Sequence, residues 1–426
     1  MKTYLNSLDP VSRRSFMMKT AKNLLGVSLL PLANSVMGAT EPVKGGGKAK
    51  SVIYLYMSGG MTHLDTFDPK EDSDVKGPGE PIATTADGLR ISSFLPNLAK
   101  HGNKMAIVRS MTTKTGVHDQ ANYVMRTGYA PRGTIVHPSC GPLAQQYLGR
   151  RNKTLPDSVN IMCGGGHPGA GYLLPAMAPV PIFDPEKGIE NISYLTSEAQ
   201  FMHRTQLAKE LDATFQQKYN HKDVKAYNDI YDETMNLLRS DDLKAFDLKQ
   251  EKQETRDKYG KNNYGQGLLL ARRMVEHGVR FIEVERGGWD MHAQVGTAMT
   301  TNGGNIDIAI SALIDDLTSK GLIESTMIVI GSEFGRTPNI NAGGGRDHHP
   351  RAFSTVFIGG GVKGGTVYGA TDSKGFDVAD KAVGVQDFVA SIGYAMGVPI
   401  GKTIFSPSGR PFTFGDKGKP ITEIFA

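Results

Sequence analysis

Cysteine is nearly missing from this chain: its 426 residues include two, Cys140 and Cys163. They make no CxxC pair and no Cys/His zinc spacing, which excludes a thiolate-built structural zinc site. In an oxidising compartment the two could join in one disulfide. The other reading is two separately buried thiols. There is no G-x-S-x-G elbow, so a Ser-His-Asp hydrolase is disfavoured, and no P-loop, dinucleotide fingerprint, haem or iron–sulfur motif. No apolar run reaches the roughly 20 residues of a comfortable transmembrane helix. An excess of one charge is also lacking. The formal +5 resides mostly in the first 39 residues, where Lys2, Arg13, Arg14, Lys19 and Lys22 face only Asp9. The nearly neutral remainder gives no electrostatic case for nucleic acid or an anionic membrane.

What is present begins with that basic start. Ser12-Arg13-Arg14-Ser15-Phe16-Met17-Met18-Lys19 is followed by an apolar stretch, about Leu24 to Ala33, and then by small residues near Ser35, Gly38 and Ala39. This is the order of a twin-arginine signal peptide over 1–39. It implies the Tat export machinery as a partner and a periplasmic or extracellular destination. Residues 40–50, rich in lysine and glycine, read as a flexible leader, and 51–426 as one domain.

The remainder is ordinary for a globular protein, with 39% apolar and 21% charged residues. Ser51–Met57 is a continuous apolar run ending in Ser58-Gly59-Gly60, the pattern of a buried parallel strand with a glycine turn. Further strands are expected over 104–111, 158–162, 279–285, 327–331 and 355–358. Helices are expected over 119–126, 139–148 (capped by Ser139), 306–320 and 386–396. Residues 197–277 are polar and read as a helical insertion. Strands alternating with helices predict an α/β fold, a mostly parallel sheet with helices on both faces.

Active sites of such sheets lie at the carboxyl ends of the strands, and the chemistry-bearing residues collect there. His63 and Asp65 follow the first strand. Thr112, Thr113, His118 and Asp119 follow the second. Asp290 and His292 follow the strand at 279–285. Glu333 and Arg336, then Arg346, Asp347, His348 and His349, follow the strand at 327–331. Of eleven histidines, five (His63, His118, His292, His348 and His349) sit in these loops with a carboxylate within two positions. Imidazole with carboxylate suits divalent transition ions, and Asp290-x-His292 in extended chain puts both side chains on one side. The expected cofactor is a divalent metal ion, Zn, Mn or Ca, with His63, Asp65, Asp290, His292, Asp347, His348 and His349 as candidate ligands. Arg336 and Arg346 could clamp an anionic group. Thr112 or Thr113 becomes a nucleophile when a metal or base activates it. Blander readings stand beside these: Thr62 and Asp65 as a cap, Glu333 and Arg336 as a local ion pair, Gly343-Gly344-Gly345 as a flexible tip.

Five segments, SGGMTHLDTFDPK at 58–70, HDQANYVMRTGY at 118–129, GGWDMH at 287–292, VIGSEFGRTP at 329–338 and GRDHHP at 345–350, together resemble the DUF1501 family. Its members are similar to Tat-exported bacterial proteins of unassigned activity, distantly sulfatase-like and alkaline-phosphatase-like. The resemblance implies an alkaline-phosphatase-like fold. It also implies a metal-ligand role for Glu333, in the segment similar to the sulfatase S-D-H/N-G loop. His118 stands where the sulfatase nucleophile helix has its cysteine, so the formylglycine precursor is missing, and His118, Thr112 and Arg336 are the catalytic candidates. The expected function is an exported metal-dependent hydrolase of a phosphate or sulfate ester, small-molecule or polysaccharide. The alternative is a non-catalytic exported binding or surface-organising protein that keeps the fold.

Overall fold

A computed structural model describes residues 46–72, 74–190, 197–218 and 232–426. The twin-arginine segment lies outside the described residues. Residues 46–50, whose composition suggests a flexible leader, are pinned instead: the Gly47 and Ala49 amides donate to the Tyr394 and Ala395 carbonyls at 3.0 and 2.9 Å, and the Lys50 amide to the Ser325 carbonyl at 2.8 Å.

The main sheet is built from β1 (Ser51–Met57), β2 (Met105–Thr112), β3 (Ser158–Ile161), β4 (Val180–Ile182), β5 (Phe281–Arg286), β6 (Thr326–Gly331), β7 (Phe353–Gly359), β8 (Thr366–Tyr368) and β9 (Val383–Gly384). Their order is β8-β2-β7-β6-β1-β5-β3-β4, with β9 beside β2. Every pairing is parallel except the two made by β7. The central strand β1 is buried along its whole length, which is why its sequence is apolar at nearly every position instead of alternating.

The main helices are α1 (His118–Thr127), α2 (Cys140–Leu148), α3 (Glu198–Lys218), α4 (Asn263–Glu276), α5 (Val295–Ser319) and α6 (Val385–Ala395). Of these, α4 and α5 cover one face of the sheet and α1, α2 and α6 the other. Ile53, Leu55 and Met57 pack with Leu268 and Leu269 of α4 and Ile306 and Ile310 of α5. Val52, Tyr54 and Tyr56, pointing the other way, pack with Met125 of α1, Leu143 of α2, and Phe388 and Ile392 of α6. Each such aliphatic side chain contributes about 1.5–3 kcal/mol by leaving water. Between 197 and 277 the described residues hold helices and no strand. The last of these, α4, buries most of its length against the sheet and belongs to the sheet's own cover. Ser139 occupies the N-cap position of α2, but its hydroxyl donates to the Gly169 carbonyl at 3.1 Å and caps nothing. Cys140 and Cys163 are free thiols and form no disulfide. Among the described residues, no helix is long and apolar enough to cross a membrane.

The reversed strand brings one more segment to the edge where the loops gather. The carboxyl ends of β1, β2, β3, β5 and β6 share that edge. Because β7 runs against them, its amino end lies there too, and so does the segment 346–350 that leads into it.

Candidate metal centre

Four loops meet at this edge. The loop after β1 passes against the one after β5, and Gly59 makes this possible. Its φ is +118°, and a Cβ there would lie 2.4 Å from the Asp290 amide nitrogen, so only glycine fits. Asp290 and His292 come from the loop after β5. His118 opens α1 after β2. Glu333 and Arg336 follow β6. His348 comes from the two-residue strand His348–His349, which pairs antiparallel with Gly335–Arg336.

Three imidazoles converge on one carboxylate oxygen. Asp290 Oδ1 lies 3.5 Å from His118 Nε2, 3.0 Å from His292 Nε2 and 3.1 Å from His348 Nε2. His292 Nε2 and His348 Nε2 are 3.0 Å apart. Donors about 2.0–2.2 Å from a shared tetrahedral ion lie about 3.3–3.6 Å from one another; one of these separations falls in that range and the other three lie a few tenths of an ångström below it. Behind each ring stands an oxygen that takes its Nδ1 proton: Glu333 Oε1 at 2.8 Å for His118, Asp347 Oδ1 at 2.8 Å for His292 and the Gly116 carbonyl at 2.8 Å for His348. This fixes the tautomer that turns each Nε2 lone pair inward, the usual support of metal-binding histidines. His118 Nε2 is buried with no hydrogen-bond partner. The donor set therefore fits a divalent ion. Partial burial pushes the Asp290 carboxyl up, but the hydrogen bond and charge of Arg336 outweigh it and hold it at about 2. The Glu333 hydrogen bond raises the His118 pKa above the ordinary imidazole value.

The remaining sequence candidates stand elsewhere or do something else. Glu333 is fully buried and gives both oxygens to protein donors: Oε1 to the Gly59 amide at 2.7 Å and to His118, Oε2 to the Ser332 and Tyr56 hydroxyls at 3.1 and 3.3 Å. It orients a histidine and does not face the centre. Asp347 stands likewise behind His292. Asp65 pairs with Arg346 and with the Thr62 hydroxyl, the capping alternative. His63 and His349 donate from Nε2 to the consecutive carbonyls of Gly375 and Phe376, at 3.0 and 2.6 Å, and hold that loop. His349 points away because neighbours on a strand face opposite sides. Thr112 directs its hydroxyl at the Val383 carbonyl, 3.4 Å away, and not at the cluster. Arg336 and Arg346 are fully buried and bound to backbone carbonyls, so neither is a free anion clamp. Gly343 and Gly344 are tied by backbone hydrogen bonds to Gln294 and Val295, so they are not a loose tip.

The five motifs thus supply one sheet edge of one α/β fold. The chain belongs to the DUF1501 family. The match runs over residues 49–425, and the family is described as "Protein of unknown function (DUF1501)". No curated protein matches the chain. Among solved structures it is similar to the PsFucS1 sulfatase from Pseudoalteromonas sp., at 12% identity and TM-score 0.41, over 97% of this chain and 77% of that one. It is similar to the lipoteichoic acid synthase LtaP from Listeria monocytogenes, at 10% identity and TM-score 0.41, over 90% and 79%. It is also similar to the alkaline phosphatase of the Antarctic bacterium TAB5, at 12% identity and TM-score 0.36, over 75% and 94%. Likeness at this level assigns no chemistry to these DUF1501 residues.

One feature of this family member has only a faint signal in the sequence. Arg126, at the far end of α1, is buried between Glu283 and Glu285, 2.7 Å from each, and His167 meets Glu283 at 3.1 Å. Burial raises the Glu283 carboxyl, but Arg126 and His167 bring it down to about 2. Two glutamates spaced by two in an otherwise apolar strand are that signal, since both then point to one face.

Burial lowers His63 from 6.5 to about 4, which gives a pH prediction. The folded state rejects a proton that the unfolded chain accepts. The stability this represents is whole above pH 6.5 and is lost as pH falls toward 4, up to about 3 kcal/mol. Urea unfolding at pH 7, 6, 5 and 4 should show that decline, and a His63→Gln variant should flatten it. Equal slopes in the two proteins would refute the assignment.

Proposed function

We propose that this protein is an exported hydrolase of phosphate or sulfate esters that depends on a divalent metal ion held by Asp290, His292 and His348. The observation that carries the reading is the convergence of three Nε2 atoms on Asp290 Oδ1, each ring backed by an oxygen at 2.8 Å. An ion bound there supplies Lewis-acid polarisation of the ester and acidifies a water. The chain's own groups do the rest. His118, oriented by Glu333, turns its Nε2 lone pair to the same space and takes the proton of the attacking water. Asp290 and His292 are about half exposed, which leaves a side of the centre open to substrate. The amino end of α1 lies at His118 with no side-chain cap, so its partial positive charge favours a bound anion. The twin-arginine start supports the exported part of the reading.

The test is the metal content of the purified protein beside an Asp290→Ala/His292→Ala variant and a His118→Gln variant. The wild type should retain a divalent ion and the double variant at least tenfold less, as loss of ligands requires. His118→Gln should keep the ion and lose hydrolysis of a nitrophenyl phosphate or sulfate. No bound ion in the wild type, and no rise in stability on adding Zn, Mn or Ca, would overturn the reading and favour a binding role.

A further inference from the structure

We propose that the centre takes a single divalent ion, and that the guanidinium of Arg336 supplies a second positive charge as a fixed part of the chain. This rests on the metal-dependent reading above. Arg336 is fully buried. Its Nε donates to the Gly60 carbonyl at 3.0 Å, its Nη1 to the Arg346 carbonyl at 3.0 Å, and its Nη2 to the Gly59 carbonyl and to Asp290 Oδ1. Nη1 also lies 3.4 Å from His292 Nε2. The guanidinium thus borders the convergence point and shares its carboxylate oxygen, yet cannot swing toward solvent.

A two-ion centre needs a second donor set about 3.5–4 Å from the first ion. Most of the carboxylate oxygens around the first already serve protein donors. Glu333 gives both oxygens to protein donors. Asp347 Oδ1 takes His292 Nδ1 at 2.8 Å and the Asn341 amide at 3.1 Å. Asp65 is paired with Arg346. The other group of ligand-type side chains among the described residues is Cys163, Glu283 and Glu285. It has Arg126 on both carboxylates, and Arg126 stands two helical turns from His118, on the order of 12 Å. Charge gives the same answer. Asp290, Glu333 and Asp347 against Arg336 leave two formal negative charges, which one divalent ion balances and two would overshoot. Arg336 is a positioning residue: it fixes Asp290 and the Gly59-Gly60 turn, and its charge acts through space on an anion at the ion.

The experiment loads the wild-type protein with excess Mn(II) or Co(II), removes free ion and counts what remains. The quenching of Trp289, the single tryptophan and the neighbour of Asp290, follows the titration. One ion per chain, a break at one equivalent and an uncoupled Mn(II) resonance are expected. Two ions with a coupled resonance would overturn this inference and leave the hydrolase reading intact; no ion would overturn both. Inorganic phosphate binding to the Co(II) protein, read from its visible spectrum, then tests the charge. Arg336→Lys should stay within about threefold of wild type and Arg336→Gln should weaken binding roughly 30-fold, with the count still one. Equal phosphate affinity in Arg336→Gln and wild type would overturn the role of the charge. If neither variant folds, the wild-type count still decides the stoichiometry.

Discussion

Replacing Glu333 with alanine will destabilise the fold by about 3–5 kcal/mol and weaken divalent-metal binding by about 10–100-fold. The side chain is fully buried and accepts from the Gly59 amide, His118 Nδ1 and the hydroxyls of Ser332 and Tyr56. Alanine leaves the Gly59 amide and His118 Nδ1 without their acceptor, each at a cost of about 1–3 kcal/mol less whatever relaxation recovers, while the Ser332 and Tyr56 hydroxyls keep the Met57 carbonyl and Asn122. The loss in metal binding has a different origin. Glu333 holds the Gly59 turn against Asp290, so its removal frees the loop that packs on that ligand. Glu333→Gln keeps the shape and one acceptor oxygen and should fall between alanine and wild type in both properties. Urea unfolding and a competition titration against a metal chelator measure the two effects separately. A Glu333→Ala protein that matches wild type in both would show that the carboxylate neither supports the turn nor orients the ring.

Much of the fold is legible in the sequence because strand burial and strand chemistry coincide. Ser51–Met57, Thr326–Gly331 and Phe353–Gly359 are apolar at most positions because helices cover both faces of the sheet. The direction of Phe353–Gly359 is not legible, since a strand buried on both faces has the same composition whichever way it runs. The first half of α5 is also hidden. Thr297, Thr300, Thr301, Gly303 and Gly304 are poor helix formers, and they are helical here because Val295, Met299 and Gly303 are buried against the rest of the fold. Propensity loses to packing. Residues 46–50 mislead for a related reason: glycine and lysine resemble a linker, but backbone hydrogen bonds to the end of α6 do not depend on side chains.

At the site, the sequence locates the loops but not the facing of each side chain. His348 and His349 are adjacent, and strand alternation sends one to the centre and the other to the Phe376 carbonyl. Spacing alone does not say which. Glu333 has the chemistry of a ligand, and only its four protein donors mark it as a support. Arg336 and Arg346 suggest anion clamps because arginine is seldom fully buried. Their role inside the loops depends on carbonyls from Gly59 to Pro338, which no local pattern announces.

Separating Asp65 from Arg346 is the second change with a large expected effect, about 3–5 kcal/mol for either Asp65→Ala or Arg346→Met. Both side chains are buried, with Arg346 Nε 2.8 Å from Asp65 Oδ2. Arg346 also donates to the Val75 carbonyl at 3.1 Å, the Thr337 carbonyl at 3.2 Å and the Pro338 carbonyl. One guanidinium thus joins the loop after β1, the loop after β6 and the segment that carries His348. Gly77 leaves room for the pair: a Cβ there would lie 1.7 Å from Asp65 Oδ1. Removing one partner strands a buried charge, whereas removing both strands neither. The double variant Asp65→Ala/Arg346→Met should therefore lose about 2 kcal/mol less than the sum of the single losses, as coupled neighbours do. Metal affinity should fall in Arg346→Met, because His348 follows two residues later on the chain that Arg346 anchors. Strict additivity in the unfolding cycle would mean that the backbone carbonyls alone hold Arg346, and that Asp65 serves only the turn it makes with Thr62.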